Sequence, residues 1–177
     1  MQIVRNFLLF QIGWFASVLG AANGLPWVGP LVVAGVVAVH LRYAQWPATE
    51  ASLLLACGAI GTVFDSMLVA AGWVSYSSGM FAPAFAPYWI IAMWCLFATT
   101  LNVSLRWMRG RPLIAAVLGL VAGPLTYIGG EKLGGIIFIE QTAALAALGI
   151  GWAVMMPALL KLSELLDGCT SSEEVFS

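Results

Sequence analysis

The 177-residue chain is 62% hydrophobic and only 8% charged, with mean hydropathy +0.97 and a formal net charge of −1. Soluble domains carry about 25% charged residues, so this chain cannot clothe a water-facing surface and reads as a polytopic membrane protein. The near-zero charge points to no nucleic-acid partner, and three cysteines without a CxxC pair make no disulfide framework.

In chain order, apolar runs predict six transmembrane helices over residues 7–23, 27–41, 49–73, 87–105, 112–130 and 141–166. At about 1.5 Å per residue these lengths match a bilayer core. The first run follows Arg5 and ends in "GAANG", which resembles a signal peptide and its cleavage region. Asn6, Gln11 and Trp14 suit such a leader poorly, so the span is expected to be retained. Pro112 sits at the first turn of its helix, where its missing N–H costs nothing, and Pro157 is expected to kink the sixth span. Residues 1–166 thus read as one six-helix transmembrane domain, and 167–177 as a short, polar, acidic tail predicted to be disordered. No internal repeat stands out.

With both termini cytoplasmic, Arg5, Arg42, Arg106, Arg109, Arg111 and Lys161 lie inside and Lys132 alone outside, as the positive-inside bias favours. The uncharged connection "VSYSSGMFAPAFA" suits an outer loop near the headgroups. Trp27, Trp73, Tyr76, Tyr88 and Trp89 are predicted to form an outer aromatic belt, with Trp46 and Trp107 on the inner side.

Asp65 is the acidic residue deep within a span. On a helical wheel of about 100° per residue, Gly58, Gly61 and Gly72 share its face, while Ile60, Val63 and Met67 lie opposite. Small residues let another helix approach and bulky ones suit lipid, so Asp65 points into the bundle. Two readings stand for it. One is a proton carrier or general base; the other is a structural carboxylate held by polar neighbours. Partners are sought at Tyr88, Cys95, Thr99 and Ser17, with Asn102 and Tyr127 as further members of a buried polar site. Small-residue faces at Gly13, Ser17 and Gly20 and in the Gly119–Gly123 GxxxG pattern could seat another helix, within the chain first and in a homo-oligomer second.

Other chemistry is scarce. A single histidine, His40, excludes histidine-cluster di-iron sites and bis-histidine haem, and reads as an interfacial residue. Cysteines and acids are too scattered for a zinc motif, so no metal or other cofactor is predicted. Phosphate-binding, dinucleotide and nucleophile-elbow motifs are absent. Arg106, Arg109 and Arg111 in "RWMRGRP" read as a positive-inside signal or as a lipid-headgroup contact. Glu131, Lys132 and Glu140 mark a solvated outer loop.

The stretches "NFLLFQIGWFASVLGAANG", "GTVFDSMLVAAG", "APYWIIAMWCLFATTLNVSLRW" and "GPLTYIGG" together resemble the small bacterial integral membrane proteins of domain of unknown function 2878, over about residues 6–160. The resemblance implies no established activity and carries over no catalytic residue. The resemblance also implies genes that often lie near those of proteins resembling fatty-acid-modifying methyltransferases and flavoproteins, and so, by association, a link to membrane-lipid modification. The expectation is a multi-pass protein of a bacterial inner membrane that serves lipid metabolism as an auxiliary component, with membrane lipid and a membrane or soluble enzyme as partners. Two alternatives stay open: a small transporter with Asp65 as proton or cation site, and a membrane enzyme using Asp65 with Asn102 or Tyr127 on an apolar substrate.

Overall fold

A computed structural model describes residues 2–169. Six α-helices follow one another: α1 (Gln2–Ala22), α2 (Val28–Tyr43), α3 (Pro47–Ala70), α4 (Tyr88–Leu101), α5 (Pro112–Lys132) and α6 (Gln141–Leu165). Prolines at the first turns of α3 and α5 start those helices, and α5 and α6 continue through Pro124 and Pro157. The all-helical class is as predicted, apart from a small antiparallel ribbon of β1 (Val74–Tyr76) and β2 (Ile136–Phe138) that pairs Tyr76 with Ile136.

Four helices, α1, α3, α5 and α6, are long and apolar enough to cross a membrane. With 16 and 14 residues, α2 and α4 are shorter, about 24 and 21 Å against a hydrocarbon core of about 30 Å. The predicted fourth span runs to residue 105, but α4 stops at Leu101. Polar side chains there offer the backbone other partners. Asn102 turns its amide to α3 and the chain tail, Leu105 N–H returns to Thr100 O at 2.8 Å, and a 3-10 turn follows at Arg106–Met108.

Glycines set how the helices meet. A Cβ on Gly61 would lie 1.9 Å from Trp94 Cδ2, so α4 seats its indole directly on the α3 backbone. A Cβ on Gly123 would lie 2.4 Å from Trp152 Cγ, so the GxxxG face of α5 packs on α6 of the same chain. Gly29 of α2 closes on Ser17 of α1, and Gly13 on Leu96 of α4. These small-residue faces are occupied within the chain. Leu55, Val63, Leu113, Ile150 and Val154 face outward instead, the arrangement that lipid favours.

The helices and ribbon contain a repeat that does not stand out in the sequence. A proline-started helix, a positive-φ glycine, a short strand and a second helix occur twice, as α3–β1–α4 and α5–β2–α6. Counted back from Gly72 and Gly134, Gly61 and Gly123 fall at the same place, and so do Asp65 and Tyr127. Each glycine receives a tryptophan, and the two tryptophans stack on each other at 4.8 Å with 8° between planes. β1 and β2 pair across the same junction.

Two further expectations are corrected. Tyr76 and Trp89, predicted for the outer aromatic belt, are buried. Tyr76 is turned inward by its strand, and the Trp89 indole donates to Ser78 O at 3.0 Å. The tail is predicted to be disordered from residue 167, yet Asp167 pairs with Arg106 and Arg109, and Gly168 and Cys169 lie on the start of α3. Trp46 N–H donates to Gly168 O at 2.9 Å, and Gly168 N–H to Glu50 Oε1 at 2.9 Å. The remainder of that expectation, residues 170–177, lies outside the described residues.

Candidate functional site

Asp65 is wholly buried five residues before the end of α3, about 7 Å along the axis. Its carboxylate accepts three hydrogen bonds. Tyr76 and Tyr127 hydroxyls donate to Oδ1 at 2.6 and 2.7 Å, and the Trp94 indole donates to Oδ2 at 2.6 Å. The partners come from β1, α5 and α4, so one carboxylate ties both repeats to the ribbon. Buried hydrogen bonds to a charged group are the strong ones, and three of them offset the cost of placing a carboxylate at this depth.

Of the partners expected from sequence, the fold brings Tyr127 alone to Asp65. Ser17 and Thr99 donate within their own helices, to Gly13 O at 2.8 Å and Leu96 O at 2.7 Å. Cys95 donates to Leu54 O at 3.5 Å, and Tyr88 packs against Phe81 with ring centroids 5.2 Å apart. Tyr76 and Trp94 were not foreseen as partners. The burial of an indole or phenol tip is a property of its neighbours, and spacing within one helix does not carry it.

Trp94 and Tyr127 also form a wall of a cavity of ≈ 140 Å³ between α1 and α4 on one side and α5 and α6 on the other. Phe10, Trp14, Met93, Phe97 and Trp152 supply most of the remaining lining, and Ala122 and Thr126 lead from it to the outer surface of α5. Trp14 reaches across from α1 to the Gly129 backbone of α5. The Trp14 and Trp152 Nε1 atoms are buried and find no hydrogen-bond partner among the described residues. Asp65 therefore stands behind the cavity wall and orients two of its rings.

A second polar cluster lies at the opposite end of α3. Glu50, fifteen residues before Asp65 and about 22 Å away along the helix, is fully buried. Its Oε2 lies 2.7 Å from His40 Nε2, and its Oε1 accepts from Asn102 and Gly168 N–H. Asn102 thus belongs to this cluster and not with Asp65. Arg109 donates to Asn102 Oδ1, to Ser163 O at 3.0 Å and to Asp167 Oδ2 at 2.7 Å, while Arg106 donates to Asp167 Oδ2 at 2.6 Å. Arg111 is exposed and outside the network. Two of the three arginines expected to face headgroups are therefore engaged by the protein itself.

His40, read from sequence as interfacial, is buried at 9% exposure against Glu50. Its ring, the Glu50 carboxylate and the Cys169 thiol place their ligand-type atoms within 4.8 Å of one another. Burial first, then the nearby carboxylates Glu50 and Asp167, push the free Cys169 thiol up to about 12. Uncomplexed, it is a protonated thiol at neutral pH and no nucleophile. Glu50 and Cys169 escape a reading of the sequence because they stand 119 residues apart. The one local signal is the short Trp46–Pro47 turn, which folds α3 back beside His40.

Neither the curated proteins nor the solved structures contain a match to this chain. The family model "Protein of unknown function (DUF2878)" matches residues 3–158, which span all six helices up to the last turns of α6, and the chain belongs to that family.

Proposed function

We propose that the protein is an auxiliary component of membrane-lipid metabolism that holds the apolar tail of a membrane lipid in the cavity between α1/α4 and α5/α6. The cavity is the observation that supports this reading. A void of about 150 Å³ takes a benzene-sized group, so ≈ 140 Å³ suits one segment of a hydrocarbon chain. The lining is aromatic and aliphatic, as an apolar ligand requires. Asp65 serves here as the keystone that fixes Trp94 and Tyr127. Its sealed position and three donors favour that role over proton carriage or general-base work.

In this reading all six helices cross a bacterial inner membrane and both termini are cytoplasmic. The distribution of Arg5, Arg42, Arg106, Arg109, Arg111 and Lys161 against Lys132 supports that orientation. A reporter active only in the cytoplasm should then work after Arg42 or Arg109 and fail after Ser78 or Leu133. Activity after Ser78 would overturn the six-span arrangement.

The lipid reading is tested by Ala122→Phe, which fills the cavity from its outer side. Lipid extracted from the purified wild-type protein should contain an enriched species, and the variant should lose it while melting no lower than wild type. Equal enrichment in both proteins, or none in wild type, would reject the cavity as a lipid site.

A further inference from the structure

We infer that His40, Glu50 and Cys169 form a binding site for a single zinc-class divalent cation. Three different ligand types converge from three parts of the chain: an imidazole nitrogen from α2, a carboxylate oxygen from α3 and a thiol sulfur from the segment after α6. No two of these atoms are more than 4.8 Å apart. Ligands of a tetrahedral zinc ion, at about 2.0–2.3 Å from the metal, lie roughly 3.3–3.7 Å from one another. His40 Nε2 and Glu50 Oε2 lie 2.7 Å apart, and the pairs with Cys169 stay within 4.8 Å, close to that spacing. Side-chain rotation of about 1 Å would admit the ion in place of the His40–Glu50 hydrogen bond.

The surroundings are those of a supported site. Asn102 and Gly168 N–H hold Glu50 Oε1, leaving Oε2 to turn from the imidazole to a metal. Such outer partners orient first ligands in metal centres. The segment that carries Cys169 is itself fixed. Asp167 is clamped by Arg106 and Arg109, and Gly168 presses so closely on the α3 start that a Cβ there would lie 2.4 Å from Trp46 O. That proximity reserves the position for glycine and brings the next residue over Glu50.

The donor set also selects the ion. Nitrogen and sulfur beside one carboxylate suit zinc and cobalt and disfavour calcium and magnesium, which take oxygen. Metal binding displaces the Cys169 proton to solvent, and the neutral His40 ring ligates through Nε2 with its one proton on Nδ1. The resulting thiolate and the carboxylate together balance a divalent charge, so the buried site carries no net charge. Three protein ligands leave a fourth position for water or another donor. The site is independent of the apolar cavity and would pin the C-terminal segment to the ends of α2 and α3.

The test uses the full-length protein, purified, stripped with chelator and titrated with Co²⁺. Near-ultraviolet absorption from thiolate-to-cobalt charge transfer should saturate at about one equivalent and be displaced by Zn²⁺. Cys169→Ser, outside every helix, should abolish the band while melting like the stripped wild-type protein. His40→Gln should weaken binding at least about tenfold. Cys95→Ser, a free cysteine on α4, should leave the band intact. Absence of the band in wild type, or its survival in Cys169→Ser, would overturn the site and leave the trio as a hydrogen-bonded latch.

Discussion

Replacing Asp65 by Leu removes one carboxylate and orphans three buried donors at once: the Tyr76 and Tyr127 hydroxyls and the Trp94 indole N–H. Interhelical hydrogen bonds in membrane proteins are worth about 0.6 kcal/mol on average and about 1.7 at most. Three of them place the loss at about 2–5 kcal/mol. At about 2–4 °C per kcal/mol for a chain of this size, the melting temperature should fall by about 4–20 °C. Asp65→Asn should fall between Leu and wild type. An amide can accept from Trp94 and donate to both tyrosine oxygens, but it then leaves two buried hydroxyl protons without an acceptor. Tyr88→Phe is the control, because Tyr88 packs on Phe81 and lies outside the network. The assay is thermal unfolding in a mild detergent followed by tryptophan fluorescence. An Asp65→Leu protein that melts within a degree of wild type would refute the keystone role. So would an Asp65→Asn protein less stable than Asp65→Leu.

Gly61→Ala should destabilise the protein by about 1–3 kcal/mol through overpacking, because its Cβ would meet the Trp94 ring at 1.9 Å. Gly35→Ala, which meets nothing within 4 Å, should be neutral or slightly stabilising; equal melting shifts for the two would argue against the α3–α4 contact. Arg109→Lys should cost about 1–3 kcal/mol, since an ammonium cannot span Asp167, Asn102 and Ser163 as the guanidinium fork does. Arg111→Lys should be silent, and a silent Arg109→Lys in the same melts would remove the structural role given to that arginine.

Composition and periodicity sufficed for the class of this protein. With mean hydropathy +0.97 and 8% charge, the apolar runs form helices, four of them long and apolar enough to cross a membrane. The wheel around Asp65 likewise located its packing face, because Gly58 and Gly61 on one side and Val63 and Met67 on the other are a local property of one helix. The partners of Asp65 were another matter. Tyr76 reaches it because a three-residue strand pairs with another strand beyond α5, and Trp94 because Gly61 leaves room for its ring. Glu50 illustrates the same division. In sequence it is one acid at the start of a span. In the fold it meets His40 ten residues before it, Asn102 and the Gly168–Cys169 segment. The repeat was hidden for a related reason: its halves share glycine positions and geometry but few side chains, with Asp65 opposite Tyr127. A sequence specifies which face of each helix is small, polar or greasy, because that is set by residues three and four apart. Which polar tips converge depends on contacts between residues as far apart as Glu50 and Cys169, and those distances exist only once the helices have packed.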